Sequence, residues 1–140
     1  VGAGLSFTAD LDKPGGFCGI EAVRRDLAAG APTSRLVSLV LEPGATAGRG
    51  SPPPRAAEPL LFHGEIVLRD GQPIGDVRAG SIGWTIGSGV GLAFVHHDDG
   101  VGAAWLAEGG FELDVNGQRL PVRLQLKAPY DPTQERVRLG

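Results

Sequence analysis

The sequence Leu-Pro-Val-Arg-Leu-Gln-Leu-Lys-Ala-Pro-Tyr-Asp-Pro, residues 120–132, decides the fold. Its apolar residues Leu120, Val122, Leu124 and Leu126 alternate with proline and polar residues, as side chains do on a strand that buries one face. The Pro-Tyr-Asp-Pro sequence that follows ends the strand, because proline cannot donate a hydrogen bond to a sheet.

Two short turn sequences extend this pattern into hairpins. Asp70-Gly71 and Asn116-Gly117 each separate two strand-like runs, and both pairs suit turns with positive backbone angles. The predicted strands are residues 35–42, 64–69, 74–80, 91–97, 111–115 and 118–126. We therefore predict a mainly β protein: a six-stranded closed antiparallel barrel of Greek-key type, because closure leaves no unpaired sheet edge.

Residues 1–30 precede the strands and show a different pattern. Three apolar residues recur at the spacing of one helix face: Ile20, Val23 and Leu27. We predict a glycine-rich entry arm followed by one N-terminal helix that stops near Gly30, and a short helical turn over residues 103–108. The arm and helix, residues 1–30, and the barrel, residues 31–140, are expected to form one structural domain.

The composition fits one globular domain and argues against several kinds of partner. The 140 residues are 41% hydrophobic and 21% charged, and the net charge is −3, which argues against nucleic acid or an anionic membrane as partner. No apolar run approaches the roughly 20 residues of a membrane helix. The lone Cys18 fits a reducing compartment, and the abundance of Arg, Ala and Gly suggests a GC-rich bacterial genome. We expect a bacterial cytoplasmic protein. A chain that begins at Val1 and lacks Met is expected to be a piece of a longer one.

Two sequence patterns resemble ligand sites, but the residues around them argue against both. The glycines of residues 87–91 resemble a phosphate-binding loop, but they precede an apolar strand rather than open a helix. Residues 96–99, His-His-Asp-Asp, place four metal-ligating side chains in a row, yet neighbours on a strand point to opposite faces. We predict a polar strand end there and no metal site.

Other candidate side chains lack the partners that catalysis needs. Cys18 lies where a helix dipole would stabilise a thiolate, but no His or oxyanion site can be placed beside it, so we predict a buried structural thiol. Trp84 and Trp105 could stack on an aromatic ligand, although large aromatic residues more often anchor a core or an interface. The remaining polar candidates have no catalytic context: His63, Ser81 and Ser88. We predict no catalytic residue in this chain.

Five segments, in the correct order, resemble the glycine-cleavage T-protein superfamily. They are a Lys-x3-Phe-x-Gly-x-Glu-Ala motif over residues 13–22, a strand at 35–41, a hairpin at 70–77, a Ser-x3-Thr-x-Gly-x4-Leu-Ala motif within 81–95, and the closing strand and tail at 120–132. The sequences of these segments are most similar to the C-terminal ends of sarcosine and dimethylglycine dehydrogenases. Those enzymes join a flavin oxidase-like half to a folate-binding half.

This resemblance implies a function that belongs to a larger enzyme. Such enzymes oxidatively demethylate N-methylglycines on FAD, and tetrahydrofolate captures the one-carbon unit as methylene-tetrahydrofolate. The resemblance places the folate pocket mainly in the preceding domain, which is the implied partner, and FAD further upstream, so this chain alone is expected to hold no cofactor. T-proteins have an aromatic tail residue near the folate, where Glu135 or Arg136 stands here. The implied cofactor-binding candidates are Tyr130 and Arg136.

We therefore expect a barrel that packs on and completes the folate-binding half of a sarcosine or dimethylglycine dehydrogenase-like flavoenzyme. Two alternatives remain open from the sequence. The chain could be the small subunit of a multi-chain amine oxidase or aminomethyltransferase. It could instead be a free-standing protein-interaction barrel that binds through the proline tract at residues 52–54.

Overall fold

The structure is a computed structural model that describes residues 1–42 and 59–138; the proline tract at residues 52–54 lies outside this part of the chain. The strands are β1 (Ser34–Leu41), β2 (Ile66–Arg69), β3 (Gln72–Gly83), β4 (Ser88–His96), β5 (Phe111–Val115) and β6 (Gln118–Gln125). The helices are a 3-10 helix (Ser6–Thr8), α1 (Ile20–Ala28), α2 (Ala103–Ala107) and α3 (Glu135–Arg138).

The six strands form a closed barrel in the order β1-β4-β3-β2-β5-β6, and β6 pairs back with β1. Each neighbouring pair is antiparallel. Strands β2, β3 and β4 follow one another as hairpins, and β5 returns to lie beside β2, which is a Greek-key arrangement. The predicted fold, a closed six-stranded antiparallel barrel with a helix near the N-terminus, is confirmed.

Both predicted hairpin turns are present, and their backbone angles explain their residues. Asp70 and Gly71 have φ of 51° and 75°, and Asn116 and Gly117 have φ of 54° and 81°. Two consecutive positive angles are required by the turn whose twist matches that of the flanking strands. Asp114 adds a bond to the second turn, because its Oδ1 accepts the backbone N–H of Gly117 at 2.8 Å.

The core fills the barrel with aliphatic side chains from alternate strand positions. Strand β5 buries its first, third and fifth residues, and β6 buries Leu120, Val122 and Leu124 while Pro121 and Arg123 face solvent. The fully buried residues with the largest side chains include Leu39, Leu41, Leu61, Leu113 and Leu120. No core residue comes from the described residues before β1, so the arm and α1 lie outside the barrel core.

Glycine allows close approach where β3 and β4 pair. Gly80 lies opposite Gly91, and a Cβ atom at Gly80 would stand 2.3 Å from Cβ of the buried Leu61. A Cβ atom at Gly91 would stand 2.7 Å from the carbonyl oxygen of Ala79. Strand β3 also continues to Gly83, three residues beyond its predicted end at residue 80, because these glycines are paired within the sheet.

We expect Gly80→Ala to destabilise the fold, because the added methyl group overlaps Leu61 and must displace it from the core. The free energy of unfolding should fall by about 1–3 kcal/mol, the usual cost of overpacking. Gly102→Ala is the matched control, since a Cβ atom there meets Cβ of Ala31 at an ordinary 3.7 Å. Urea unfolding followed by tryptophan fluorescence measures both, and equal losses for the two variants would contradict the account.

Candidate functional site

An apolar groove of about 410 Å³ runs along the outer face of β1, β3 and β4. Leu39 and Ala93 point into the core, so Ser38 and Leu92, their neighbours in sequence, point outward into this groove. We call it the tail groove. It is lined by Ser38, Ala79, Gly80, Ser81, Ile86, Val90, Gly91, Leu92, Ala128, Pro129 and Tyr130.

A second groove, of about 670 Å³, lies on the other side of the tail. Ala128 and Pro129 line both grooves, so the tail after β6 forms the wall between them. The second groove also has charged lining residues: Glu42, Arg123 and Lys127. The tail groove is therefore the more apolar of the two, and it is the one that Tyr130 closes.

The structure brings the two predicted cofactor-binding residues together. The guanidinium carbon of Arg136 lies 5.6 Å from the ring centroid of Tyr130, within the range of a cation–π contact. Tyr130 also lines the tail groove and is 42% exposed, so one side of its ring contacts the groove while the arginine lies beside it. Whether these residues bind a cofactor stays a prediction.

Asp131 creates this contact by capping α3. Its φ of 45° is left-handed, and its carboxylate accepts the backbone N–H of Glu135 at 2.9 Å and of Arg136 at 3.1 Å. A carboxylate at a helix N-terminus satisfies free N–H groups and is favoured by the helix dipole. The neighbouring Thr133 hydroxyl donates to Glu135 at 3.0 Å. The cap turns the chain back, so Arg136 returns to Tyr130.

The row of His and Asp residues at the end of β4 does not converge. His96 Nε2 lies 3.0 Å from the carboxylate of Asp98, whereas the His97 ring stacks on Trp105 with a centroid distance of 4.7 Å. Residues 1–42 and 59–138 contain no group of three or more His, Cys, Asp or Glu residues that could hold a metal ion. The two histidines lie in different surroundings, because His96 is the last residue of β4 and His97 follows the strand.

One hydrogen-bonded chain was not anticipated from the sequence. The Ser34 hydroxyl lies 3.3 Å from His96 Nδ1, and His96 Nε2 lies 3.0 Å from Asp98. A nucleophile needs a positioned base, an oxyanion site and shielding from water. Here Asp98 is 96% exposed and His96 is 56% exposed, so the chain ties the start of β1 to the end of β4 at the surface. This contact follows from the register of β1 and β4, which places Ser34 opposite His96.

Trp105 is part of the core. It is 8% exposed, Phe111 meets it edge-on at 5.1 Å, and the Arg69 guanidinium lies 4.9 Å from its ring centroid. Arg69 in turn forms an ion pair with Glu108. The interpretation of Trp105 as a core anchor is therefore right. Trp84, in contrast, is 64% exposed and lies beside the turn between β3 and β4.

The prediction of a buried thiol at Cys18 is wrong, because this side chain is exposed. It precedes Gly19, the left-handed residue before α1, and α1 itself has no buried residue. The neighbouring helix α1 therefore does not bury the thiol. The prediction rested on the lack of catalytic partners for the thiol, which does not require that the thiol be buried.

The glycines of residues 87–91 complete a hairpin. The backbone N–H of Gly87 donates to the carbonyl oxygen of Gly83 at 2.7 Å, and β4 begins at the next residue. Ser88 is buried and its hydroxyl donates to the carbonyl oxygen of Leu41 at 2.7 Å. The segment thus leads into a strand, as expected.

Within the described part of the chain, no helix is long and apolar enough to cross a membrane.

Comparison with known proteins gives a family model and several relatives. The family model of the glycine cleavage T-protein C-terminal barrel domain matches residues 35–131. The 4-methylaminobutanoate oxidase (formaldehyde-forming) of Paenarthrobacter nicotinovorans is 35% identical over 136 residues, which are 97% of this chain and 14% of that protein. The mitochondrial sarcosine dehydrogenase of Homo sapiens is 30% identical over 138 residues, 97% of this chain and 13% of that protein.

Shorter relatives share the same barrel. The aminomethyltransferase of Rubrobacter xylanophilus is 31% identical over 122 residues, 87% of this chain and 27% of that protein. The crystal structure of glycine cleavage system aminomethyltransferase T from Bartonella henselae superposes with a TM-score of 0.51 at 20% identity, covering 79% of this chain and 25% of that chain, and so supports the fold. The chain spans between about a seventh and about a quarter of these proteins, and it belongs to the family of glycine cleavage T-protein C-terminal barrel domains.

Proposed function

We propose that this barrel packs on and completes the tetrahydrofolate-binding half of a sarcosine or dimethylglycine dehydrogenase-like flavoenzyme. The observation that carries the proposal is that the chain matches the C-terminal barrel family over residues 35–131 while spanning 13–14% of its oxidase and dehydrogenase relatives. The contact between Ser34 and His96 lies at the exposed surface, where water reaches it. The barrel thus contributes structure to a reaction whose reacting groups lie elsewhere in a longer protein.

The names of the relatives support a substrate class. The oxidase is named for 4-methylaminobutanoate and for forming formaldehyde, and the dehydrogenase is named for sarcosine. Both amines are N-methylated amino acids, and loss of the methyl group at the oxidation level of formaldehyde gives a one-carbon unit that tetrahydrofolate can carry. We therefore propose an N-methyl amino acid as the substrate of the parent enzyme, with FAD as its oxidant.

The residues of this chain fit one part of tetrahydrofolate better than they fit FAD. The tail groove is apolar, and the Tyr130 ring and the Arg136 guanidinium stand at one side of it. An aromatic ring of the cofactor could pack against the groove, and a carboxylate of its glutamate could pair with the arginine. The glycine segment at residues 87–91 leads into a strand and offers no helix N-terminus to a dinucleotide.

In this proposal Tyr130 and Arg136 act by contact and not by chemistry. The cofactor would supply the carbon carrier, and the barrel would exclude water from one side and fix the carboxylate end. The preceding domain would supply most of the pocket. We further propose a bacterial cytoplasmic location, because the lone Cys18 fits a reducing compartment. A small subunit of a multi-chain amine oxidase would use the barrel in the same way, with the partner domain on another chain.

We expect the 140-residue chain alone to bind tetrahydrofolate with a dissociation constant above about 1 mM, because most of the pocket belongs to the missing domain. The longer protein that includes this chain should bind it in the micromolar range or more tightly. Isothermal titration calorimetry of both samples tests this. Micromolar binding by the 140-residue chain would show that the barrel holds a complete site and would overturn the proposal.

In the longer protein, Arg136→Ala should weaken tetrahydrofolate binding about tenfold, because it removes the cation beside the Tyr130 ring. Arg138→Ala is the matched control, since it removes the same charge from the same helix and should change the dissociation constant less than about twofold. Titration of each variant, with circular dichroism as a check on folding, measures the difference. Equal affinities for the two variants would exclude Arg136 as a contact.

A further inference from the structure

We propose that a partly exposed apolar face on the arm and α1 is the surface on which the preceding domain of the same chain docks. This arm face consists of the exposed Leu5, Phe7 and Leu27 and the half-buried Ile20 and Val23. The inference rests on the proposed function, because it takes the barrel to be part of a longer chain. It goes further by assigning the contact to the arm and α1 and not to the outer wall of the barrel.

Several large apolar side chains of the arm face are exposed to solvent. Phe7 is 82% exposed, Leu5 is 59% exposed and Leu27 is 39% exposed, although the last lies on the apolar side of a helix. Helix α1 contains no buried residue. Its apolar residues at positions 20, 23 and 27 share one side at helical spacing, which is the pattern of a helix that packs on a neighbour.

Local hydrogen bonds hold the arm in shape without covering it. The Thr8 hydroxyl donates to the carbonyl oxygen of Leu5 at 2.7 Å, which closes the 3-10 helix. Arg24 donates to the carbonyl oxygen of Leu11 at 2.8 Å and pairs with Glu21 at 2.7 Å, so the arm is tied to the polar side of α1. These bonds involve polar groups, and the apolar side of α1 stays only half-buried at Ile20 and Val23 and exposed at Leu27.

A helix of this length needs tertiary packing to be stable. Helix α1 has 9 residues, and isolated helices shorter than about 12–15 residues are marginal in water. Most helical stability in proteins comes from packing of an amphipathic face. Because the barrel core begins at Val37 and buries none of α1, another surface must provide that packing.

The extent of the matches identifies the preceding domain as the occupant. The family match begins at residue 35, just after the arm face, whereas the matches to the oxidase and the sarcosine dehydrogenase cover 97% of the chain and so extend into residues 1–34. Most of those proteins lies outside the match, since 13–14% of their length is covered. The arm therefore joins the barrel to what precedes it, and the complementary surface is an apolar patch on that domain.

The first test compares two phenylalanines in the longer protein. Phe7→Asp places a charge on the arm face, and Phe62→Asp places the same charge at a position that is 65% exposed and outside the arm face. We expect Phe7→Asp to speed hydrogen exchange of the α1 amides at least about tenfold, because burial of one Phe side chain is worth more than that factor. Phe62→Asp should leave these rates unchanged. Equal effects of the two variants would overturn the proposal.

A second measurement needs no variant. The thiol of Cys18 precedes α1 and is exposed in this chain, so its alkylation by iodoacetamide reports on cover over the start of the helix. Mass spectrometry of the peptide that carries Cys18 should show alkylation at least about tenfold slower in the longer protein than in the 140-residue chain. Equal rates would overturn the proposal. So would protection in the 140-residue chain that rises with its concentration, because a second copy would then cover the face.

These outcomes are separable from failure of the proposed function. A longer protein that binds tetrahydrofolate while Cys18 and the α1 amides stay unprotected would overturn the docking surface alone. A longer protein that protects both but does not bind tetrahydrofolate would overturn the folate function and leave the docking surface standing.

Discussion

The pairing of β1 with both β4 and β6 is the constraint on which the rest of the structure depends. Register runs from Ser34 opposite His96 on one side and from Leu41 opposite Val122 on the other. This double pairing closes the barrel, removes both sheet edges and encloses the aliphatic core. Because β1 and β6 are the first and last strands, closure also decides which residues are left outside. The arm, α1 and the tail all lie beyond the closing strands.

The features that could be predicted from sequence are those fixed by local chemistry. Asp70-Gly71 and Asn116-Gly117 adopt positive φ because their residues tolerate it, and the pairing next to each turn follows from it, although the β2–β3 register shifts between Val67 and Leu68. The alternation in β6 was visible because one face must be buried and the other solvated. These are short-range rules, and the barrel strands obey them.

The features that were missed depend on residues distant in sequence. Strand β3 continues to Gly83 because its last residues pair with the start of β4. Gly80 itself is packed against Leu61, which lies 19 positions earlier. Ser34 meets His96 across 62 positions through the register of β1 and β4. Cys18 was predicted to be a buried structural thiol because no catalytic partner could be placed beside it, but the lack of such partners does not say which surface covers a side chain. Among residues 1–42 and 59–138, no residue of α1 is fully buried and none belongs to the barrel core.

The candidate site shows the same division between local and distant causes. Tyr130 and Arg136 were named from a resemblance, and their contact follows from one local device, the Asp131 cap that turns the chain back at α3. The groove beneath Tyr130 instead depends on Ser38 of β1 and Leu92 of β4, which closure brings side by side.

The closed barrel core thus carries two apolar surfaces that stay partly exposed, the tail groove and the arm face. Neither contributes a side chain to the barrel core, so a substitution of an exposed side chain such as Tyr130 or Phe7 can change what the protein binds while the core that holds the strands together stays intact.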